Sequence, residues 1–136
     1  MISGEDMRKL VTVKQSDLIT NEKNILYKGY IELLNTMDGI TLEYLENDKS
    51  TKVRITFDDE QMHLLRQGDM ITDLCFREHE KTKGSITSSY GVMDLEVYTH
   101  KYIRKDSIIA IEYDILTNDE VVSKFRMICM LKEDIA

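Results

Sequence analysis

The stretch Lys52–Gly68, KVRITFDDEQMHLLRQG, limits the fold more than any other part of the chain. Val53, Ile55 and Phe57 alternate with Arg54 and Thr56, Asp58-Asp59 marks a turn, and Met62 and Leu64 resume the alternation. A period of two is the pattern of a half-buried strand, so the stretch predicts a β-hairpin. Pairing Phe57 with Met62 and Ile55 with Leu64 puts four apolar side chains on one face. The same register sets Val53 opposite Arg66 and sends a guanidinium toward the core, where one is rarely found.

The rest of the chain repeats this design. Turn signals fall near positions 38, 48, 58, 68, 83, 91, 105 and 118, and short strands separated by roughly 8–12 residues are the mark of an all-β barrel or sandwich. Ile25, Tyr27, Gly29, Ile31 and Leu33 are expected on one inward face, with Gly29 marking a bulge or a close backbone approach. Residues 7–19 read as a bent or bulged strand. Ile86–Tyr90 reads as a short strand, with Tyr90 anchoring a corner at Gly91. No window has helical periodicity. Hairpin follows hairpin, which predicts a closed or nearly closed up-and-down antiparallel barrel of about 8–10 strands. Closure also removes exposed sheet edges, and the chain has no proline to blunt one.

Length fits a single domain over 1–136, with 1–6 expected as a flexible N-terminus. Lysine and arginine total 18 against 25 acids, a net charge of −7, which opposes non-specific attachment to nucleic acid or an anionic membrane. No apolar run is long enough to span a bilayer. The acids Glu5 and Asp6 interrupt any signal-peptide pattern. Cys75 is expected outward and Cys129 inward, with no CxxC pair, so the thiols point to a reduced, cytoplasmic setting.

Several short motifs resemble those of the YwiB-like family, a bacterial domain of unknown function. Gly29 stands where that family has a strand glycine, and Leu42-Glu43-Tyr44-Leu45-Glu46 is similar to its L-x-Y-x-E strand. Arg66-Gln67-Gly68 is similar to its R-x-G turn, with Leu74-Cys75-Phe76 as the apolar strand that follows. Ser88-Ser89-Tyr90-Gly91 resembles its T-P-Y-G corner, with serines in place of Thr-Pro, and is followed by Leu95 and Thr99. Ile109–Tyr113 resembles its I-x-I-x-Y strand. The likeness runs from Ile25 to about Leu131. It implies a calycin-like barrel, related in architecture to lipocalins and fatty-acid-binding proteins, and it implies no activity.

The candidate site follows from register. Pairing Glu46 with Thr51 across the Asn47–Ser50 turn puts Tyr44 opposite Val53 and hence in one row with Arg66. Neighbouring strands lie about 5 Å apart, so an extended arginine two strands away covers most of the gap to Glu46 or Tyr44. Two readings are open. In one, Arg66 receives the carboxylate or phosphate of a small amphiphilic ligand, Tyr113 supplies a hydroxyl, Glu46, Tyr44 and Thr99 complete the candidate ligand-binding set, and Leu74, Leu95, Ile111 and Phe125 hold the tail. In the other, the commoner use of a buried charge, Arg66 pairs with Glu46 and fixes register. Tyr113 is equally readable as a core residue, and Thr99 as a small inward group bonded to nearby backbone.

Other chemistry finds little support. His63, His79 and His100 are expected outward without ligand spacing, so no metal site is expected. Neither a catalytic constellation nor a cofactor motif is present, and an enzymatic reading ranks last. The basic strip Tyr98–Lys105 is expected as a solvated strand end rather than a nucleic-acid contact. Outward Leu45, Leu65, Ile71 and Met130 leave an interaction module, such as a homodimer with a fully packed core, as the alternative.

Overall fold

A computed structural model describes residues 7–133 of the chain; the N-terminal segment expected to be flexible lies outside them. Eleven strands form one antiparallel sheet: β1 (Arg8–Asp17), β2 (Lys23–Glu32), β3 (Leu34–Thr36), β4 (Gly39–Leu45), β5 (Lys52–Phe57), β6 (Gln61–Gln67), β7 (Ile71–Arg77), β8 (Lys81–Ser88), β9 (Gly91–Lys105), β10 (Ile108–Thr117) and β11 (Glu120–Glu133). The hydrogen-bonded order is β2-β1-β11-β10-β9-β8-β7-β6-β5-β4-β3. Sequence order therefore runs around a ring, with β11 closing onto β1, and the predicted up-and-down barrel is the fold observed. Among the described residues, no helix is long and apolar enough to cross a membrane.

The two ends of the sheet, β2 and β3, are consecutive in the chain. The Leu33 amide donates to the Met7 carbonyl on the β1 side at 2.9 Å, and the next residue, Leu34, is in register with Thr41 of β4. One bent strand thus serves both edges of the sheet, and its break at Leu33 contributes to a count of eleven where 8–10 were expected. Beyond the short β3 pairing, β2 and β4 face each other without ladder bonds. The rings of Tyr27 and Tyr44 stack across this seam with centroids 4.7 Å apart. Gly29 leaves room for the stack, because a Cβ there would lie 2.5 Å from the Tyr27 hydroxyl oxygen.

The central register is the one read from sequence: Phe57↔Met62, Ile55↔Leu64 and Val53↔Arg66 between β5 and β6, and Tyr44↔Val53 between β4 and β5. Asp58 accepts from the Glu60 and Gln61 amides at 2.8 and 2.9 Å and so shapes the β5–β6 turn. The alternating residues Leu42, Ile55, Phe57, Met62, Phe76, Val97, Ile111 and Met127 are fully buried. They fill the barrel below its open end, as side chains do in small barrels. At the closed end the Tyr102 hydroxyl reaches the Asp58 and Gln61 carbonyls at 2.6 and 2.8 Å and ties β9 to the β5–β6 turn.

Three expectations about individual positions are corrected. Alternation predicts Ile25 on the inward face with Tyr27, yet it is exposed. Register passes from Val13↔Tyr27 to Lys14↔Ile25, which leaves Leu26 as an extra bulge residue. One extra residue exchanges the two faces of a strand, so Leu26 turns in and Ile25 turns out. Tyr90 anchors no corner; it is 99% exposed at the β8–β9 tip, where Gly91 adopts φ +125°. The short strand predicted over Ile86–Tyr90 instead begins at Lys81 and ends at Ser88, because its first half, Lys-Thr-Lys-Gly-Ser, has no apolar alternation to reveal it.

Candidate functional site

The barrel opens at the end where the β1–β2, β4–β5, β6–β7 and β10–β11 connections lie. A cavity of about 340 Å³ sits there, lined by Tyr44, Glu46, Arg66, Tyr113 and a mostly apolar wall that includes Leu26, Leu64, Leu74, Ile115, Phe125 and Met127. Pockets that hold small molecules usually enclose about 300–1,000 Å³ and are mainly apolar with a few polar groups.

Arg66 is held by Glu46. Its Nε and one Nη each donate 2.8 Å bonds to the two carboxylate oxygens. The turn between β4 and β5 sets up this fork. The Asp48 carboxylate accepts from the Ser50 and Thr51 amides at 2.9 and 2.8 Å and from the Thr51 hydroxyl at 2.5 Å. These bonds hold the Asp48 carboxyl down at about 2. The Glu46 amide then donates to the Thr51 carbonyl, carrying Glu46 one step past Tyr44 toward Arg66. The Arg66 side chain is 39% exposed and that of Glu46 20%, so the pair lies at the rim and not in the deep core. The bond to Glu46 raises the guanidinium pKa further.

The cavity tyrosines differ. Tyr44 is buried, and its hydroxyl is pushed above its ordinary pKa first by desolvation and then by the Glu46 charge. Tyr113 is also buried, wedged between Phe76 and Phe125 with ring centroids 4.6 and 5.6 Å away. Desolvation raises its pKa, and its hydroxyl has no hydrogen-bond partner among the described residues. Thr99 lies opposite Tyr113 in the β9–β10 register but does not line the cavity. The backbone bond expected for its side chain is missing: Thr99 Oγ1 is buried without a partner. The structure therefore gathers Arg66, Glu46, Tyr44 and Tyr113 at one opening and leaves Thr99 beneath it. Of the apolar wall expected from sequence, Leu74 and Phe125 line the cavity, whereas Leu95 and Ile111 belong to the packed interior.

Elsewhere several charges are paired locally. In the strip Tyr98–Lys105, His100 bonds Asp114 at 2.8 Å, Lys101 lies 3.9 Å from Glu112, and Tyr102 is buried. On the outer face of β6 and β7, His63 Nε2 lies 2.7 Å from Asp73 Oδ1, with Cys75 beside them. Sequence reading missed this group because it sought ligand spacing within single strands. The signal lay in the hairpin register, which sets His63 opposite Cys75. The Cys75 thiol is pushed up by burial and by Asp73, and the buried Cys129 thiol is pushed up to about 12 by desolvation.

Strand order, the paired rim charges and the cavity define an antiparallel β-barrel domain with one open end. The family model described as Domain of unknown function (DUF1934) matches residues 10–128, and the chain belongs to that family. It is also similar to a solved structure, the YwiB protein from Bacillus subtilis, at 14% identity and a TM-score of 0.73, covering 94% of this chain and 92% of that one. At that identity the likeness speaks to fold alone. No curated protein matches the chain.

Proposed function

We propose that this barrel holds a small amphiphilic molecule at its open end, with the polar head at Arg66 and the apolar body against Leu26, Leu74, Ile115 and Phe125. The cavity carries this reading: it holds about 340 Å³ of space above a packed interior. Two polar features there remain available to a ligand. Glu46 engages Nε and one Nη of Arg66, leaving the other Nη as a donor. The Tyr113 hydroxyl likewise has no protein partner among the described residues. The Arg66–Glu46 pair is neutral overall, so the head is a hydrogen-bond acceptor, anionic where it displaces Glu46 from part of the guanidinium. Exposed Leu18, Ile19, Met70 and Val121 near the opening offer apolar contacts to an incoming chain. The calycin-like resemblance fits the same use, since lipocalin-type barrels bind ligands in their interiors.

The test is titration with a fluorescent long-chain carboxylate, with native mass spectrometry for stoichiometry. Saturable binding is expected. Arg66→Met should weaken it about tenfold, the equivalent of about 1.4 kcal/mol. Glu46→Gln should tighten it by freeing the guanidinium. Absence of saturable binding, or binding indifferent to both substitutions, overturns the reading.

A second reading rests on the outer surface. Leu45 and Ile71 are exposed on strands near the open end, while Leu65 and Met130 are partly covered. Such residues suit an interface between two copies of the chain. Light scattering decides it: a concentration-dependent dimer abolished by Leu45→Lys supports it, and a strict monomer removes it. Both cysteines are free thiols, which suits the reducing cytoplasmic compartment inferred from sequence.

A further inference from the structure

We infer that the outer face of β6 and β7 binds one zinc-class divalent ion through His63 Nε2, an Asp73 carboxylate oxygen and the Cys75 thiolate. This site is independent of the cavity. The three candidate ligand atoms already lie within 4.8 Å of one another. Tetrahedral zinc, with bonds of about 2.0–2.3 Å, needs ligand atoms roughly 3.3–3.8 Å apart. Binding therefore draws the side-chain ends together by about 1 Å.

The backbone presents the set rigidly. His63 is directly opposite Cys75, and Leu65 opposite Asp73, within a β6–β7 ladder whose register is unbroken from Gln61↔Arg77 to Gln67↔Ile71. Asp73 and Cys75 are two residues apart and share the face on which His63 lies. The Thr82 hydroxyl bonds the Cys75 carbonyl and pins that strand from the β8 side. His63 and Asp73 are about half exposed, so their mutual bond contributes little to stability. A recess of about 190 Å³ beside His63 and Cys75, lined also by Asp38, Thr56, Gln61 and Met62, leaves room for a fourth ligand such as water.

Ligand chemistry selects the metal. Thiolate and imidazole favour zinc or cobalt over magnesium or calcium, which prefer all-oxygen sites. Three protein ligands and an open position differ from closed structural zinc sites, which use four protein ligands. On binding, the Cys75 thiol proton leaves to solvent. The His63–Asp73 hydrogen bond gives way to two metal bonds, with His63 in the tautomer that leaves Nε2 unprotonated. No oxidation or reduction is involved.

The experiment is titration of the full chain with cobalt(II) chloride under a non-thiol reductant, read by absorption, followed by displacement with zinc chloride. The expected result is one equivalent of tetrahedral cobalt with a thiolate-to-cobalt charge-transfer band that zinc removes. Cys75→Ser should abolish that band. His63→Gln and Asp73→Asn should each weaken binding by about tenfold or more, while His100→Gln should leave it unchanged. Circular dichroism reports folding of each variant, and His63→Gln tests the site separately should Cys75→Ser fail to fold. Absence of the band at saturating cobalt, or its survival in folded Cys75→Ser, overturns the inference.

Discussion

The rings of Tyr27 and Tyr44 stack 4.7 Å apart and 26° from parallel, joining two strands that exchange no ladder bonds. Side chains thus do at this seam what backbone does around the rest of the ring. An aromatic pair adds about 0.5–1.5 kcal/mol beyond its buried area. A double-mutant cycle of Tyr27→Leu and Tyr44→Leu, followed by urea denaturation, should give a coupling of that size. Gly29→Ala should destabilise the wild type, because its Cβ would meet the Tyr27 hydroxyl. In a Tyr27→Leu background the same change should be neutral or stabilising, by up to about 1 kcal/mol, since alanine suits a strand better than glycine. Additivity of the two changes would show that the ring and the glycine are unconnected.

Thr99 offers a substitution that should strengthen the protein. Its hydroxyl is buried with no partner, and an unsatisfied buried polar atom costs about 1–3 kcal/mol. Thr99→Val keeps the shape and removes the orphan. Stability should rise by about 1 kcal/mol, seen as a melting temperature a few degrees higher. A lower melting temperature would mean that the hydroxyl is satisfied in solution.

Acid should act on the β4–β5 turn. The Asp48 carboxyl sits at about 2 in the folded chain against an ordinary aspartate value of 3.8, chiefly because of its bond from the Thr51 hydroxyl. Folded Asp48 therefore binds fewer protons than unfolded Asp48 between those values, and stability rises with pH across that window. The contribution is complete above about pH 4 and lost as pH falls toward 2. Denaturation of wild type and Asp48→Asn across this range should show wild type the more stable above pH 4, with the gap narrowing as acid is added. A gap independent of pH would rule out the carboxylate as its source.

The parts of this fold visible in the sequence are those where short turns lock neighbouring strands. The turns at Asp58-Asp59 and Asn47–Ser50 fix β4, β5 and β6 to each other, so the row Tyr44–Val53–Arg66 and the reach to Glu46 followed from counting alone. Counting fails where one residue is inserted. The bulge at Leu26 exchanges the faces of β2, and no side chain there announces it. Lys81–Ser85 belongs to a strand although its composition suggests a loop, because β9 pairs with it along its whole length. The His63–Asp73–Cys75 group needs one further hairpin of counting, through Gly68-Asp69, and was within reach of the same method.

The Tyr102 tether at the far end has a consequence for traffic. With the β5–β6 turn cinched to β9 and the lower interior filled by aromatic and aliphatic side chains, the hollow is a cul-de-sac. Under the binding role proposed above, a guest would enter and leave by one doorway, and one longer than the hollow would leave part of itself outside.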